Sequence, residues 1–440
     1  MENLNHYIAH CLSALPAWTG PLLVAVMLVA LLLMWRWRWR DYLLPYRLSR
    51  QQARHAAEPL SAPALSASPS PFAAPQLRAT VVVTACNQAD DLRRNLPHIL
   101  SQNFSLFEVV VVDEASTDDT RALLEYLSKT NPRLRYTFVP HTAANVDRHK
   151  LAITLGIRAA RAPWVVLTSA DCQPAGQEWL PAIARHFTAD DTYDFVLGYA
   201  TYADDGTSAA RRLVYERLRR QLMRFRAAQG TALPWQRRKD IPRGLAFGAD
   251  SANLAIRKAW FMAQGGYADS LTVTCGEDDL LLSALARPRR TAVVPLAAAR
   301  VVQTLPPRPV RATLRVMQRE TLCHLSPRGR RFLWREGLAS ASGTLFALAL
   351  LLYLALRAAE LLHHPVWQPA TLPADVAALL LLLAVVVLPG ALLSCSLTTL
   401  GERRFSFLRQ TLYAMAQPWR GLLLKLKRRR HRHDYVRKLR

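Results

Sequence analysis

"PWVVLTSADCQP", residues 163–174, is an apolar run that stops at a short acidic turn. Trp164, Val165, Val166 and Leu167 show no polar alternation, the pattern of a strand covered on both faces. Asp171 stands where the run ends, with Ser169 two places earlier. In α/β sheets ligands collect beyond the carboxyl ends of strands, and a carboxylate there suits a metal. An Asp that only opens a turn is the structural alternative. The flanking sequence has to decide between them.

Working outward, the same texture recurs. "ATVVVTA" (79–85), "FEVVVVDEAS" (107–116) and "LRYTFVP" (134–140) are further short strands. Between them "ADDLRRNLPHILSQN" (89–103), "TDDTRALLEYLSKT" (117–130) and "NVDRHKLAITLGIRAARA" (145–162) carry helical spacing, the last with Leu151, Leu155 and Ala159 predicted on one face. Alternating strands and helices with continuous apolar strands predict an α/β fold, a mostly parallel sheet flanked by helices. "SAARRLVYERLRRQLMRFRAAQ" (208–229) breaks the rhythm as a basic amphipathic helix, read as a solvated face or as a helix lying along lipid headgroups.

Three stretches are long enough to cross a bilayer, 12–35, 338–356 and 375–400, all without charge apart from the leading Asp375. The block "RWRWR" follows the first apolar core and no small-residue cleavage site is evident, so a retained anchor is expected rather than a signal peptide. One acid and no Lys or Arg precede the first span, whereas Arg36, Arg38, Arg40, Arg47, Arg50 and Arg54 follow it. Residues 401–440 carry 13 Lys and Arg against Glu402 and Asp434. The positive-inside rule then puts residues 36–337 and the C-terminus in the cytoplasm. The predicted organisation is span 12–35, basic juxtamembrane segment and Pro/Ala/Ser tether 36–78, α/β domain 79–335, spans 338–356 and 375–400, and basic tail 401–440.

The net charge of +25 raises the question of nucleic acid. Much of the excess is juxtamembrane, where basic residues favour anionic lipid, and no zinc-finger spacing or recognition-helix pattern accompanies it. Nucleic acid is not expected as a partner; membrane lipids are. Six cysteines show no CxxC pairing, and in a cytoplasmic domain they would stay reduced.

Acids stand at several predicted strand ends: Asp113 and Glu114, then Asp171, with Glu277, Asp278 and Asp279 ahead of a helix. Neither G-x-x-x-x-G-K nor G-x-G-x-x-G is present, so a phosphate-bearing ligand would need a divalent cation on carboxylates, with nearby Lys or Arg. Hard oxygen ligands suit Mg²⁺ or Mn²⁺. Such a site fits nucleotide-sugar chemistry, in which a metal neutralises a departing diphosphate and a second carboxylate takes a proton from the attacking hydroxyl.

The order "VVVTACNQADDL", "FEVVVVDEASTDDT", "RHKLAITLGIRAARAPWVVLTSADC", "EWL", "FVLGYATY", "GADSANLAIRKAWF" and "GEDDLLLSALA" resembles membrane-anchored bacterial glycosyltransferases of family 2, from about residue 78 to 335. The resemblance implies the GT-A fold, a nucleotide-sugar donor, a UDP-sugar by preference, and inverting transfer to a lipid-linked or envelope glycan acceptor at a bacterial inner membrane. It implies that Thr84, Ala85 and Asn87 line the nucleotide base, that Asp113 bonds the uracil, and that Lys150 faces the nucleotide. Asp171 matches the metal-contacting acid of a D-x-D motif. Ser169 departs from the Asp usual there, leaving a hydroxyl for ribose and Glu114 to help from the side. In "GEDD" Asp278 is the implied general base and Glu277 its neighbour, with Asp279 favoured by the helix dipole. Gln318, Arg319 and His324 occupy a degenerate version of the segment that grips diphosphate and acceptor in relatives. The alternative is a catalytically weak or silent GT-A-like membrane scaffold that binds nucleotide-sugar or partner enzymes.

Overall fold

The computed structural model describes residues 18–37, 39–56, 78–142, 146–187, 192–230, 244–273, 276–306, 313, 327–363, 371–410, 412 and 413. The chain divides into two compact units, one of residues up to Leu43, Arg331–Cys395 and Phe405 onward, the other of Leu44–Arg330 and Ser396–Arg404.

In chain order α1 (Thr19–Trp37) and α2 (Leu44–Ala56) come first. Then β1 (Ala79–Ala85), α3 (Ala89–Leu100), β2 (Phe107–Asp113), α4 (Thr120–Thr130), β3 (Leu134–Phe138), α5 (Arg148–Ala159) and β4 (Trp164–Ser169) alternate strictly. β5 (Cys172–Pro174), α6 (Trp179–Ala184), β6 (Phe195–Gly198), β7 (Ala200–Tyr202) and α7 (Ser208–Gln229) follow. After them come β8 (Leu254–Arg257), α8 (Lys258–Ala263), α9 (Glu277–Leu285), β9 (Thr291–Val294), β10 (Val301–Gln303), α10 (Pro327–His363) and α11 (Leu372–Thr399).

The α/β unit is built on a seven-stranded sheet of order β3-β2-β1-β4-β8-β6-β9, with β8 antiparallel to both of its neighbours. β1 and β2 are buried along their whole lengths, as their unbroken β-branched runs require. The strand order reverses at β1, which pairs with β2 on one side and β4 on the other. The register sets Ala85 beside Asp113 and Thr84 beside Ser169, so three carboxyl ends finish together at this switch point. A small second sheet, β5-β10-β7, extends the region beyond β4.

α5 buries Ala152, Ile153, Gly156 and Ile157, not the Leu151, Leu155 and Ala159 face expected from spacing. Gly156 is the reason: a Cβ there would stand 2.4 Å from Val82 Cγ1, so the helix lies close on β1 along its glycine side. Asn253 pins the centre of the unit. Its amide donates to the Tyr199 and Ala299 carbonyls at 2.9 and 2.7 Å and accepts from Trp179 Nε1 at 3.1 Å, so this buried polar group is satisfied.

Two segments outside the expected 79–335 boundary belong to this unit. Gln52 of α2 donates to the Val293 carbonyl of β9 at 2.9 Å. Ser396–Arg404, expected as the last of a span and the first of the basic tail, is woven in: Tyr199 Oη donates to the buried Glu402 carboxylate at 3.2 Å, Arg300 donates to the Gly401 carbonyl, and Arg404 donates to the Tyr202 carbonyl.

In the other unit, Thr19–Trp37, Trp334–Glu360 and Leu372–Thr399 are long and apolar enough to cross a membrane, with mean hydropathies of 1.9, 1.9 and 2.9. Asp375 of α11 accepts from Tyr353 Oη at 2.6 Å and from Arg357 Nε at 2.8 Å, both on α10. The carboxylate, the guanidinium and the hydroxyl thus satisfy one another between the two helices.

Candidate active site

A cavity of about 260 Å³ opens at the switch point. Thr84 and Ser169 enter it from the ends of β1 and β4, and His149 and Ile153 from α5. Glu277 and Asp278 come from the first turn of α9, where Gly276 begins the helix in the left-handed region at φ 72°. Tyr202 and Gln303 close the side made by the small sheet, Asp250, Ser251 and Ala252 stand ahead of β8, and α7 contributes Arg217, Arg220 and Arg224.

Asp171 is held from both sides next to this lining. Ser169 Oγ donates to its Oδ1 at 2.6 Å and Gln303 Nε2 donates to its Oδ2 at 2.9 Å. Ser169 is therefore a hydrogen-bond donor to Asp171. Gln303 is oriented in turn by Arg217, whose Nη1 donates to Gln303 Oε1 at 2.7 Å. Arg217 also makes a two-bond pair with Asp250, at 2.7 and 2.8 Å, and lies over the Tyr202 ring at 4.3 Å. Burial works against the Asp250 charge, but the Arg217 guanidinium overrides it and holds the carboxyl below its usual range.

Asp278 is in the opposite condition. Burial, then the neighbouring Glu277 and Asp250 charges, push its carboxyl well above the usual range, with Arg224 opposing. Its Oδ1 is buried without a hydrogen-bond partner. Carboxylates raised in this way cluster at sites that move protons. Asp279, one residue on, is turned away to Arg224, which donates to it at 2.8 Å; an ion pair, and not only the helix dipole, fixes it.

Several expectations take a different form. Lys150 does not face the cavity: it is fully buried, and its ammonium donates to the Ser270 and Val273 carbonyls at 3.1 and 2.6 Å, tying that loop to α5. Glu114 accepts from His149 Nδ1, 2.6 Å away. Burial alone would discharge His149; the Glu114 bond and charge, with Glu277 and Asp278, instead raise its pKa to about 9. Asn87, at φ 53°, accepts from Thr117 N at 2.7 Å, and Asp113 accepts from Ser116 N at 3.0 Å. With the buried Ala85 they shape the first turns and stand outside the lining of this cavity. Gln318, Arg319 and His324 lie outside the described residues.

The α7 arginines, Asp250, Gln303, Tyr202 and His149 were not singled out by the sequence as site residues. Helix 208–229 is neither a solvated face nor a headgroup helix: Leu213, Val214, Leu218, Leu222 and Phe225 are buried together with Arg217. Arg217, Arg220 and Arg224 stand at i, i+3 and i+7 of this helix and so share one face, a spacing that by itself also suits a solvent-exposed side. Among the described residues no three His, Cys, Asp or Glu side chains converge as a metal cluster.

A mostly parallel sheet with its polar residues gathered where the strand order reverses is a GT-A-like α/β fold. Residues 80–261 match the model of glycosyl transferase family 2. The uncharacterized glycosyltransferase YibD of Escherichia coli (strain K12) is 24% identical over 92 residues, 21% of this chain and 25% of that protein, so the match spans about a quarter of the relative's length. Among solved structures, mannosyltransferase PcManGT from Pyrobaculum calidifontis, in complex with GDP-Man and Mn²⁺, aligns at a TM-score of 0.44 and 20% identity over 91% of this chain and 99% of that one. Residues 1–349 of S. aureus TarS align at 0.37 and 17% identity, covering 78% and 91%.

Proposed function

We propose that this chain is a membrane-bound inverting glycosyltransferase that moves a hexosyl group from a nucleotide-sugar, by preference a UDP-sugar, to a lipid-linked or envelope glycan acceptor. The observation that carries this reading is the meeting of Asp278 with Ser169 and Thr84 in one cavity, at the switch point of a domain that matches the family 2 model. Three apolar helices support membrane anchorage, and the charge distribution favours a cytoplasmic domain at a bacterial inner membrane.

Asp278 is the general base in this reading. Its unpartnered Oδ1 accepts the proton of the acceptor hydroxyl as that oxygen bonds the anomeric carbon and the bond to the diphosphate breaks. Glu277 raises its proton affinity. Ser169 and Thr84 border the donor, while Asp113, Ala85 and Asn87 hold the turns that would meet the base.

The donor set suits Mg²⁺ or Mn²⁺ in a one-carboxylate mode. Asp171 is a hard oxygen ligand whose orientation is fixed by Ser169 and Gln303, and Mg²⁺ commonly takes one or two protein carboxylates together with substrate phosphates. A cation held there would supply charge neutralisation to the leaving diphosphate.

The test is donor hydrolysis and transfer by the full chain in detergent with a panel of UDP-sugars, with and without Mn²⁺. Metal-stimulated turnover that disappears in Asp278→Asn supports the enzyme. Donor binding without turnover across varied acceptors supports the scaffold instead.

A further inference from the structure

The arginine face of α7 remains unexplained by base, donor turn or metal ligand. Its three cavity-lining guanidiniums are not equivalent. Arg217 is committed to Asp250 through two hydrogen bonds and to Gln303 through a third. Arg224 is steadied by Asp279, which does not line the cavity, so the pair fixes the guanidinium from behind. Gly248 makes that pair possible: a Cβ there would stand 1.9 Å from Asp279 Oδ1 and 3.1 Å from Arg224 Nε.

Arg220 lies one turn before Arg224 and lines the same cavity. Burial, then the like charge of Arg224, lower its pKa to about 10, against smaller support from Tyr202 and Glu216. Two partly buried guanidiniums that line one cavity from the same helix form a place where a polyanion gains more than it does in solvent. Planar guanidinium forks match phosphate oxygens, often with two bonds at once. Ser169, which lines the same cavity, is uncharged and does not repel such an anion.

We propose that Arg220 and Arg224 form a phosphate-oxyanion subsite on α7, separate from Asp171. Its occupant is the diphosphate of the donor or the phosphate of a prenyl-phosphate acceptor, two sources of one chemistry. The subsite rests on the nucleotide-sugar reading for the identity of the phosphate, not for its charge.

The test titrates the full-length chain in detergent with uridine, UDP, inorganic pyrophosphate, farnesyl phosphate and farnesol. It compares the unsubstituted protein with Arg220→Gln, Arg220→Lys and Arg224→Lys. If the donor supplies the phosphate, Arg220→Gln weakens UDP at least tenfold, leaves uridine unchanged and is partly rescued by Arg220→Lys. If the acceptor supplies it, farnesyl phosphate weakens at least tenfold while UDP and farnesol do not change. As a check independent of variant folding, pyrophosphate should protect Arg220 and Arg224 of the unsubstituted chain from phenylglyoxal, read by peptide mass. Unchanged affinity for all three phosphate ligands in a folded Arg220→Gln, or no protection, overturns the subsite. Protected arginines in a protein that binds neither UDP nor uridine would keep the subsite and discard the nucleotide-sugar reading.

Discussion

Arg217 orients Asp171 without touching it. Its guanidinium fixes the carbonyl end of Gln303 at 2.7 Å, and the amide end then donates to Asp171 at 2.9 Å. The chain Asp250–Arg217–Gln303–Asp171 runs from the loop ahead of β8 to the end of β4, so the acid assigned to the cation is aimed by residues over 40 positions away in sequence.

Replacing Gln303 with Leu leaves Asp171 with Ser169 as its remaining hydrogen-bond donor of the two from cavity-lining side chains. Losing a hydrogen bond to a charged group costs about 1.5–3 kcal/mol. The expected result is a rise of roughly tenfold or more in the Mn²⁺ concentration for half-maximal donor hydrolysis, with little change in Tm.

Asp278→Asn should move activity and stability in opposite directions. Turnover falls by roughly 10²–10⁴, the usual contribution of a positioned base. Stability rises, because a buried carboxyl with a raised pKa holds its proton more tightly folded than unfolded. Its contribution is full below the unfolded value and is lost as pH climbs through the folded one. Asparagine removes that loss, so the gain in Tm should be larger at pH 8 than at pH 4.

His149 titrates with the same sign. Its folded pKa of about 9 against 6.5 unfolded means that its ion pair with Glu114 stabilises fully below pH 6.5 and fades as pH passes through 9. Glu114→Gln should bring the imidazole pKa down by at least one unit, followed by ring-carbon chemical shifts. His149→Gln should flatten the decline of Tm between pH 6.5 and 9.

Gly248→Ala forces its new methyl onto Asp279 and should cost about 1–3 kcal/mol, the range for overpacking a filled site. Gly176→Ala, which meets nothing within 4 Å, is the matched control and should leave the chemical denaturation midpoint unchanged.

What the sequence disclosed follows physical lines. β1, β2 and β4 were legible because a strand covered on both faces has to be written as an unbroken apolar run, as in "TVVVT" and "VVVVD". Asp171 and Asp278 were legible as acids at element ends. Arg217, Arg220 and Arg224 were not, because polar residues at helical spacing read as a solvent face unless the cavity they border is known. Asp250 gave no local sign either: its role comes from a pairing 33 residues back. Leu151, Leu155 and Ala159 misled because a glycine, which carries no hydrophobic weight, selected the packed side of α5.

The placement of Ser396–Arg404 orders the events of synthesis. Glu402 meets Tyr199 only after both later hydrophobic helices have left the ribosome. Until then the nascent domain carries a buried phenol without its carboxylate acceptor and an unfilled seat beside Tyr202. Completion of the α/β unit therefore waits on translation of the last hydrophobic helix, so a stalled or truncated chain would present an unfinished cleft.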